Sequence, residues 1–260
     1  MRTILLLSFF LFVQLVANGQ ANEKGFSSPL LLDRSVLSGI GLQKIDLADE
    51  PEKDFYQKNL FRGKDISVYV VSTETWNNRM DQFPFDEFIY MYQGEALIKP
   101  DEGRGQIFHS GEFFFAPKGF TGEWEIRSGD FLHYELSVIA TRREDKSAII
   151  QGDQHLLFDK SILSGAHITL NEEGRYAHIL KAGAELKVEL KAEQPRVNAG
   201  FSVDQDQMIQ LLSGRIIVIT PDNKETKFYT GDFFILPAGC RGNWSSDGHG
   251  LIKYLVVSHS

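Results

Sequence analysis

Apolar positions fall in short runs rich in β-branched and aromatic residues, bounded by Gly, Pro, Asp and Asn. Examples are Ile66–Ser72, Glu87–Tyr92, Phe113–Ala116, Leu132–Ile139, Ile216–Thr220, Phe233–Leu236 and Leu251–Val257. No stretch keeps a long helical period, and evenly spaced short strands predict an antiparallel barrel or jelly roll. Within one run Glu87, Ile89 and Met91 share one face, and Phe88, Tyr90 and Tyr92 share the other. A strand apolar on both faces is covered on both faces. This predicts two bodies packed through Phe88, Tyr90 and Tyr92, with Met208 and Leu212 as counterparts.

The longest apolar segment, Ile4–Ala17, has 14 residues, short of the roughly 20 needed to span a bilayer as a helix. Arg2 precedes it and the small residues of Ala17-Asn18-Gly19 follow. Residues 1–19 therefore read as a secretory signal peptide, with an uncleaved anchor as the alternative. The expected location is secreted, with a bacterial periplasm as the default, and the mature chain is not expected to hold a membrane span.

An internal repeat sets the organisation. A shift of 120 residues lays Gly111–Trp124 on Gly231–Trp244, with seven of 14 pairs identical. Tyr134 meets Tyr254 at the same shift. Upstream, Asp33–Gly39 meets Asp159–Gly165 at a shift of 126. The expected layout is a signal peptide (1–19), a first domain (20–140), a charged linker (141–155) and a second domain (156–260).

Composition narrows the class. The 27 basic and 35 acidic residues leave a net charge of −8, which disfavours nucleic acid and anionic lipid as partners. Cys240 is the only cysteine, so neither an intramolecular disulfide nor a four-cysteine zinc site is available. The many Gly (23) and Phe (20) residues suit aromatic-rich strands joined by tight turns.

These residues resemble a known family, the cupins. Glu87 stands seven residues before Gly94. The pattern glycine, five residues, proline, any residue, glycine occurs as Gly111, Pro117 and Gly119, and again as Gly231, Pro237 and Gly239. The Pro-x-Gly step predicts a type II-like turn with glycine at positive φ. The Gly-x-Trp that follows, and the run Asp86-Glu87-Phe88, resemble the ureidoglycine-aminohydrolase-like subfamily. The resemblance implies an all-β fold of two tandem cupin (double-stranded β-helix, jelly-roll) barrels. It also implies a metal site of three histidines and a glutamate. Carried over position by position, those places are Asp81, Phe83, Glu87 and Gly122 in the first half, and Phe201, Val203, Gln207 and Gly242 in the second. Only Glu87 matches. No metal site or cofactor is therefore expected, although a weak divalent cation at Glu87 and Asp81 is left open.

Strand parity then places Asp81, Phe83, Glu87, Met91 and Trp124 in the first cavity, which makes it acidic and aromatic. The second cavity would be mostly apolar. His133 and Tyr134 alternate, so one of them points out of the barrel. Glu87 and Asp81 are the candidate catalytic residues. Phe83, Met91, Trp124 and Tyr134 are the candidate ligand contacts. Cys240 reads as a small buried apolar residue. Three functions fit: an exported bicupin binding a small polar molecule, a hydrolase or isomerase using Glu87, and a structural or partner-binding bicupin with filled barrels. A homodimer is compatible with each.

Overall fold

The structure is a computed structural model and describes residues 28–47, 51–127, 133–142, 163–164 and 167–260. The signal-peptide segment, most of the second copy of the Asp33–Gly39 block and most of the linker lie outside the described residues.

The first half runs β1 (Leu30–Leu31), α1 (Arg34–Leu37), β2 (Gln43–Lys44), β3 (Phe55–Arg62), β4 (Ile66–Thr73), β5 (Trp76–Met80), β6 (Glu87–Gln93), β7 (Glu95–Pro100), β8 (Gln106–His109), β9 (Phe113–Ala116), β10 (Gly122–Ile126) and β11 (His133–Ala140). The second runs β12 (Arg175–Ala182), β13 (Leu186–Glu193), β14 (Arg196–Ser202), β15 (Gln207–Ser213), β16 (Arg215–Ile219), β17 (Glu225–Tyr229), β18 (Phe233–Leu236), β19 (Arg241–Asp247) and β20 (Ile252–His259). The strand runs read from the sequence are all strands here, with ends displaced by at most two residues.

Each half is a two-sheet antiparallel jelly roll. The first pairs a sheet ordered β2-β3-β4-β11-β6-β9 with one ordered β5-β10-β7-β8. The second pairs β1-β18-β15-β20-β13-β12 with β14-β19-β16-β17. The Pro-x-Gly turns close as expected. Phe120 N donates to Pro117 O at 3.1 Å and Cys240 N to Pro237 O at 2.9 Å. The turn glycines, Gly119 and Gly239, have φ of 84° and 81°, where a side chain is strained.

Among the described residues three apolar cores result. One fills each barrel, and the third lies between them. The middle core joins Val68, Val70, Phe88, Phe115, Leu136 and Val138 to Leu186, Val188, Met208, Phe233, Ile235 and Val257. The ring of Phe233 packs at a tilt against Tyr90, with centroids 5.0 Å apart, and against Tyr92 at 6.0 Å. The face expected to join the halves does so, although Leu212 is not part of the cluster.

Polar pins reinforce that seam. Asp86 is 1% exposed and accepts from Lys118 N at 2.8 Å in its own barrel. It also accepts from Glu185 N at 2.6 Å and Leu186 N at 3.1 Å in the other. The equivalent Asp206 accepts from Ala238 N and, across the seam, from Asp65 N, both at 2.7 Å. A Cβ on Gly183 would meet Asp86 Oδ2 at 2.2 Å, and one on Gly63 would meet Asp206 Oδ2 at 2.1 Å. Both glycines let a buried carboxylate reach backbone donors of the neighbouring barrel. Buried donors left without such partners are costly.

The N-terminal arm crosses to the second barrel. β1 pairs with β18 there, and Leu32 N donates to Phe233 O at 2.9 Å. Asp33 caps α1 by accepting from Ser35 N at 2.8 Å, and Arg34 reaches Asp232 at 2.6 Å.

Candidate functional site

β11 explains why the first barrel has a chemically distinctive interior. Its residues alternate His133, Glu135 and Ser137 with Tyr134, Leu136 and Val138. Leu136 and Val138 face the other barrel, so the polar set faces inward. Beside it, β6 directs Glu87, Ile89 and Met91 inward in register with Ile139, Ser137 and Glu135. From the other sheet, β5 and β10 contribute Trp76, Asn78, Met80, Trp124 and Ile126.

These strands enclose a cavity of about 70 Å³, enough for about two waters or a comparably small organic group. Its wall is mostly aromatic and aliphatic. Gln57, Thr73, Asn78, Glu87, His133, Glu135 and Ser137 supply its polar groups. Ser137 Oγ donates to Glu87 Oε1. His133 Nε2 and Glu135 Oε2 lie 2.6 Å apart. His133 is fully buried, and its Nδ1 has no hydrogen-bond partner among the described residues.

Burial, and after it the negative charge of Glu135, push the Glu87 carboxyl up to about 8 against the opposing effect of the Ser137 hydroxyl. Two carboxylates in one low-dielectric space resist joint ionisation. Glu87 therefore holds a proton at neutral pH and can donate or accept one.

Two of the six expected site residues, Glu87 and Trp124, line the cavity. Phe83 is buried behind the wall, with ring centroids 4.7 Å from Phe85 and 5.8 Å from Trp124. Met91 is fully buried in the barrel core and is not a cavity residue.

Asp81 is corrected: it is exposed and does not join Glu87. The cause is one additional residue in the first half. Met80 pairs with Gly122 as Phe201 pairs with Gly242. Phe83 N donates to Phe120 O as Val203 N donates to Cys240 O. Asp81 and Gln82 thus fill an interval that Ser202 fills alone, and Gln82 adopts φ 55° to turn the pair outward.

Tyr134 is corrected as well. It points out of the barrel, and a Cβ on Gly39 would meet its ring. The apparent match with Tyr254 is out of register. Glu135 pairs with Met91 as Tyr254 pairs with Leu211, so Tyr254 occupies the inward place of Glu135. His133 and Glu135 were not singled out as site residues. The visible signal for them is three polar residues at every second position of an otherwise apolar run.

A cupin metal site would need convergent imidazole and carboxylate donors. Among the described residues no group of three or more His, Cys, Asp or Glu side chains is placed to hold a metal ion, and His133 Nε2 is engaged by Glu135.

The second barrel differs at the corresponding places. Gln207, Tyr254 and Ile252 stand where Glu87, Glu135 and His133 stand in the first. Its buried carboxylate, Glu193, accepts from Trp244 Nε1 at 2.8 Å and Ser246 Oγ at 3.0 Å, and lies 3.1 Å from Arg196. Cys240 is fully buried in that core, and burial pushes its thiol up to about 11.

Comparison with known proteins agrees with this architecture. Residues 66–132 match the family model described as the EutQ-like cupin domain. No curated protein matches the sequence. Among solved structures, a cupin 2 conserved barrel domain protein from Leptotrichia buccalis is similar, at 11% identity and a TM-score of 0.59. That match covers 93% of this chain and 100% of that one. A putative glyoxylate-induced protein from Pseudomonas aeruginosa is similar at 15% identity, a TM-score of 0.60 and 93% of both chains. A protein of unknown function from Pseudomonas syringae pv. tomato is similar at 16% identity and a TM-score of 0.59. There the coverage is 89% of this chain and 99% of the other. At these identities the likeness establishes the fold alone: two jelly rolls of cupin architecture.

Proposed function

We propose that this chain is an exported bicupin that binds a small polar molecule in the first barrel, with Glu87 as its anchoring hydrogen-bond partner. The observation that carries this reading is the carboxyl pair. Glu87 and Glu135 open on a small cavity walled by Phe55, Tyr69, Trp76, Phe85 and Trp124. Ligand sites combine such apolar walls with a few converging polar groups, and two neighbouring interior carboxyl groups are costly to bury. Export rests on residues 1–19, and the repeated Gly-x-Trp supports placing the chain near the ureidoglycine-aminohydrolase-like cupins.

The test is mass spectrometry of small molecules released from natively purified protein, followed by titration of the released compound into wild type and Glu87→Gln. A loss of affinity of about tenfold or more in the variant is expected, the scale of one charge-assisted hydrogen bond. Equal affinity would remove Glu87 from the site.

A second reading, a hydrolase or isomerase, is favoured by one observation. A carboxyl group held near pH 8 beside Glu135 suits general acid–base work at neutral pH. Turnover of the released compound that Glu87→Gln abolishes without loss of binding would favour this reading over simple capture.

A further inference from the structure

We infer that the first-barrel cavity selects the ammonium head of a small organic cation. This rests on the binding reading above and names the ligand class for that site. The cavity wall contains two carboxyl groups, one histidine that is already engaged by Glu135, and no lysine or arginine, so its side chains offer a ligand carboxylate or phosphate more negative than positive partners. An anion placed there would meet Glu87 and Glu135 at close range in a poorly solvated space, which is strongly unfavourable.

The hydrogen-bonding pattern points the same way. Ser137 engages one oxygen of Glu87, and His133 engages one oxygen of Glu135. Each carboxyl group, once ionised, has acceptor sites beyond that one contact, and an ammonium group supplies three N–H donors. The rest of the wall suits a cation equally well. Five aromatic rings, those of Phe55, Tyr69, Trp76, Phe85 and Trp124, line the same space. Aromatic faces attract desolvated cations, with ammonium ligands in aromatic cages as the established pattern. A cavity of about 70 Å³ admits the ammonium head and a short carbon stem, and little more.

The cation also resolves the carboxyl pair. The titratable groups lining the cavity with Glu87 are Glu135 and His133 on β11 and Tyr69 on β4, while β5 and β10 bring Asn78 and Trp124 and no charge. An ammonium ion between the two carboxylates lets both ionise. Binding near neutral pH then expels the Glu87 proton to solvent, and affinity rises with pH until Glu87 is already ionised in the free protein.

The experiment is calorimetric titration of the folded wild-type chain with methylammonium, ethylammonium, acetate and ethylene glycol. It is run at pH 7 and pH 9 in buffers of different ionisation enthalpy that contain no amine cation. We expect the ammonium ions to bind at least tenfold more tightly than acetate or glycol. We also expect close to one proton released at pH 7 and almost none at pH 9. Glu87→Gln should abolish the release. If that variant does not fold, the selectivity order and the proton count of wild type carry the test alone. Acetate or glycol binding as well as or better than the ammonium ions would overturn the cation assignment and leave a ligand site in place. Binding of none of the probes, with the protein folded, would overturn both readings.

Discussion

The two barrels share a backbone and divide their interior chemistry differently. At three neighbouring rungs the polar and apolar partners change strands. Tyr69, Val71 and Thr73 on β4 face Ser137, Glu135 and His133 on β11. At the same places Glu189, Lys191 and Glu193 on β13 face Val256, Tyr254 and Ile252 on β20. In the second barrel the charged residues neutralise one another. Lys187 lies 3.3 Å from Glu189, and Glu193 is tied to Arg196, Trp244 and Ser246. In the first barrel Glu87 and Glu135 face a cavity without a cation. One interior is satisfied by its own side chains, and in the other two carboxyl groups share a single histidine and no lysine or arginine. A repeated fold thus tolerates two solutions to burying charge, and only one of them leaves work for a ligand.

The largest expected effect tests the seam on which both barrels depend. Asp86→Ala strands three buried backbone donors and should cost about 4 kcal/mol in urea unfolding. Asp206→Ala, which strands two, should cost about 2–3 kcal/mol. Equal or negligible losses would mean that the middle apolar core alone joins the barrels. Next, Glu193→Gln removes the charge that Arg196 and Trp244 share and should cost about 3 kcal/mol at neutral pH.

Glu87→Gln should act in the opposite direction. Its carboxyl titrates near 8 when folded, against an ordinary 4.5. Between those values the folded chain keeps a proton that the unfolded chain releases, so stability falls as pH rises through that window. The variant should flatten this part of the pH profile and exceed wild type above pH 8 by on the order of 2 kcal/mol. Thermal unfolding at pH 5, 7 and 9 reads both signs, and parallel profiles would show that Glu87 is not held protonated. The smallest effect concerns exposed pairs. Arg79 meets Asp101 in the first barrel and Arg215 meets Asp247 in the second. Neither Arg79→Ala nor Arg215→Ala should move the unfolding midpoint measurably, because solvent screens both pairs.

Much of the fold was legible because turns and strand parity are local properties. Gly111, Pro117 and Gly119, repeated at Gly231, Pro237 and Gly239, announce two copies of one turn, and the alternation around Glu87 announces which face is interior. The site was less legible because register is not local. One additional residue beside Gln82 turns Asp81 into solvent, and a one-residue slip in the last strand makes Tyr134 and Tyr254 look equivalent when they face opposite ways. The seam role of Asp86 was hidden for a related reason. Its donors, Glu185 N and Leu186 N, come from about 100 residues away, and nothing near Asp86 in the chain points to them.

The crossing arm has a consequence for how the molecule is made. β18 is a four-residue run, Phe-Phe-Ile-Leu, buried throughout, and β1 covers its outer edge. A fragment beginning after residue 155 would carry this edge uncovered, the kind of strand that recruits other chains into aggregates. During synthesis the converse holds. The arm emerges first and must wait for a strand made some 200 residues later, so the nascent first barrel is complete in sequence long before its arm has a place to dock.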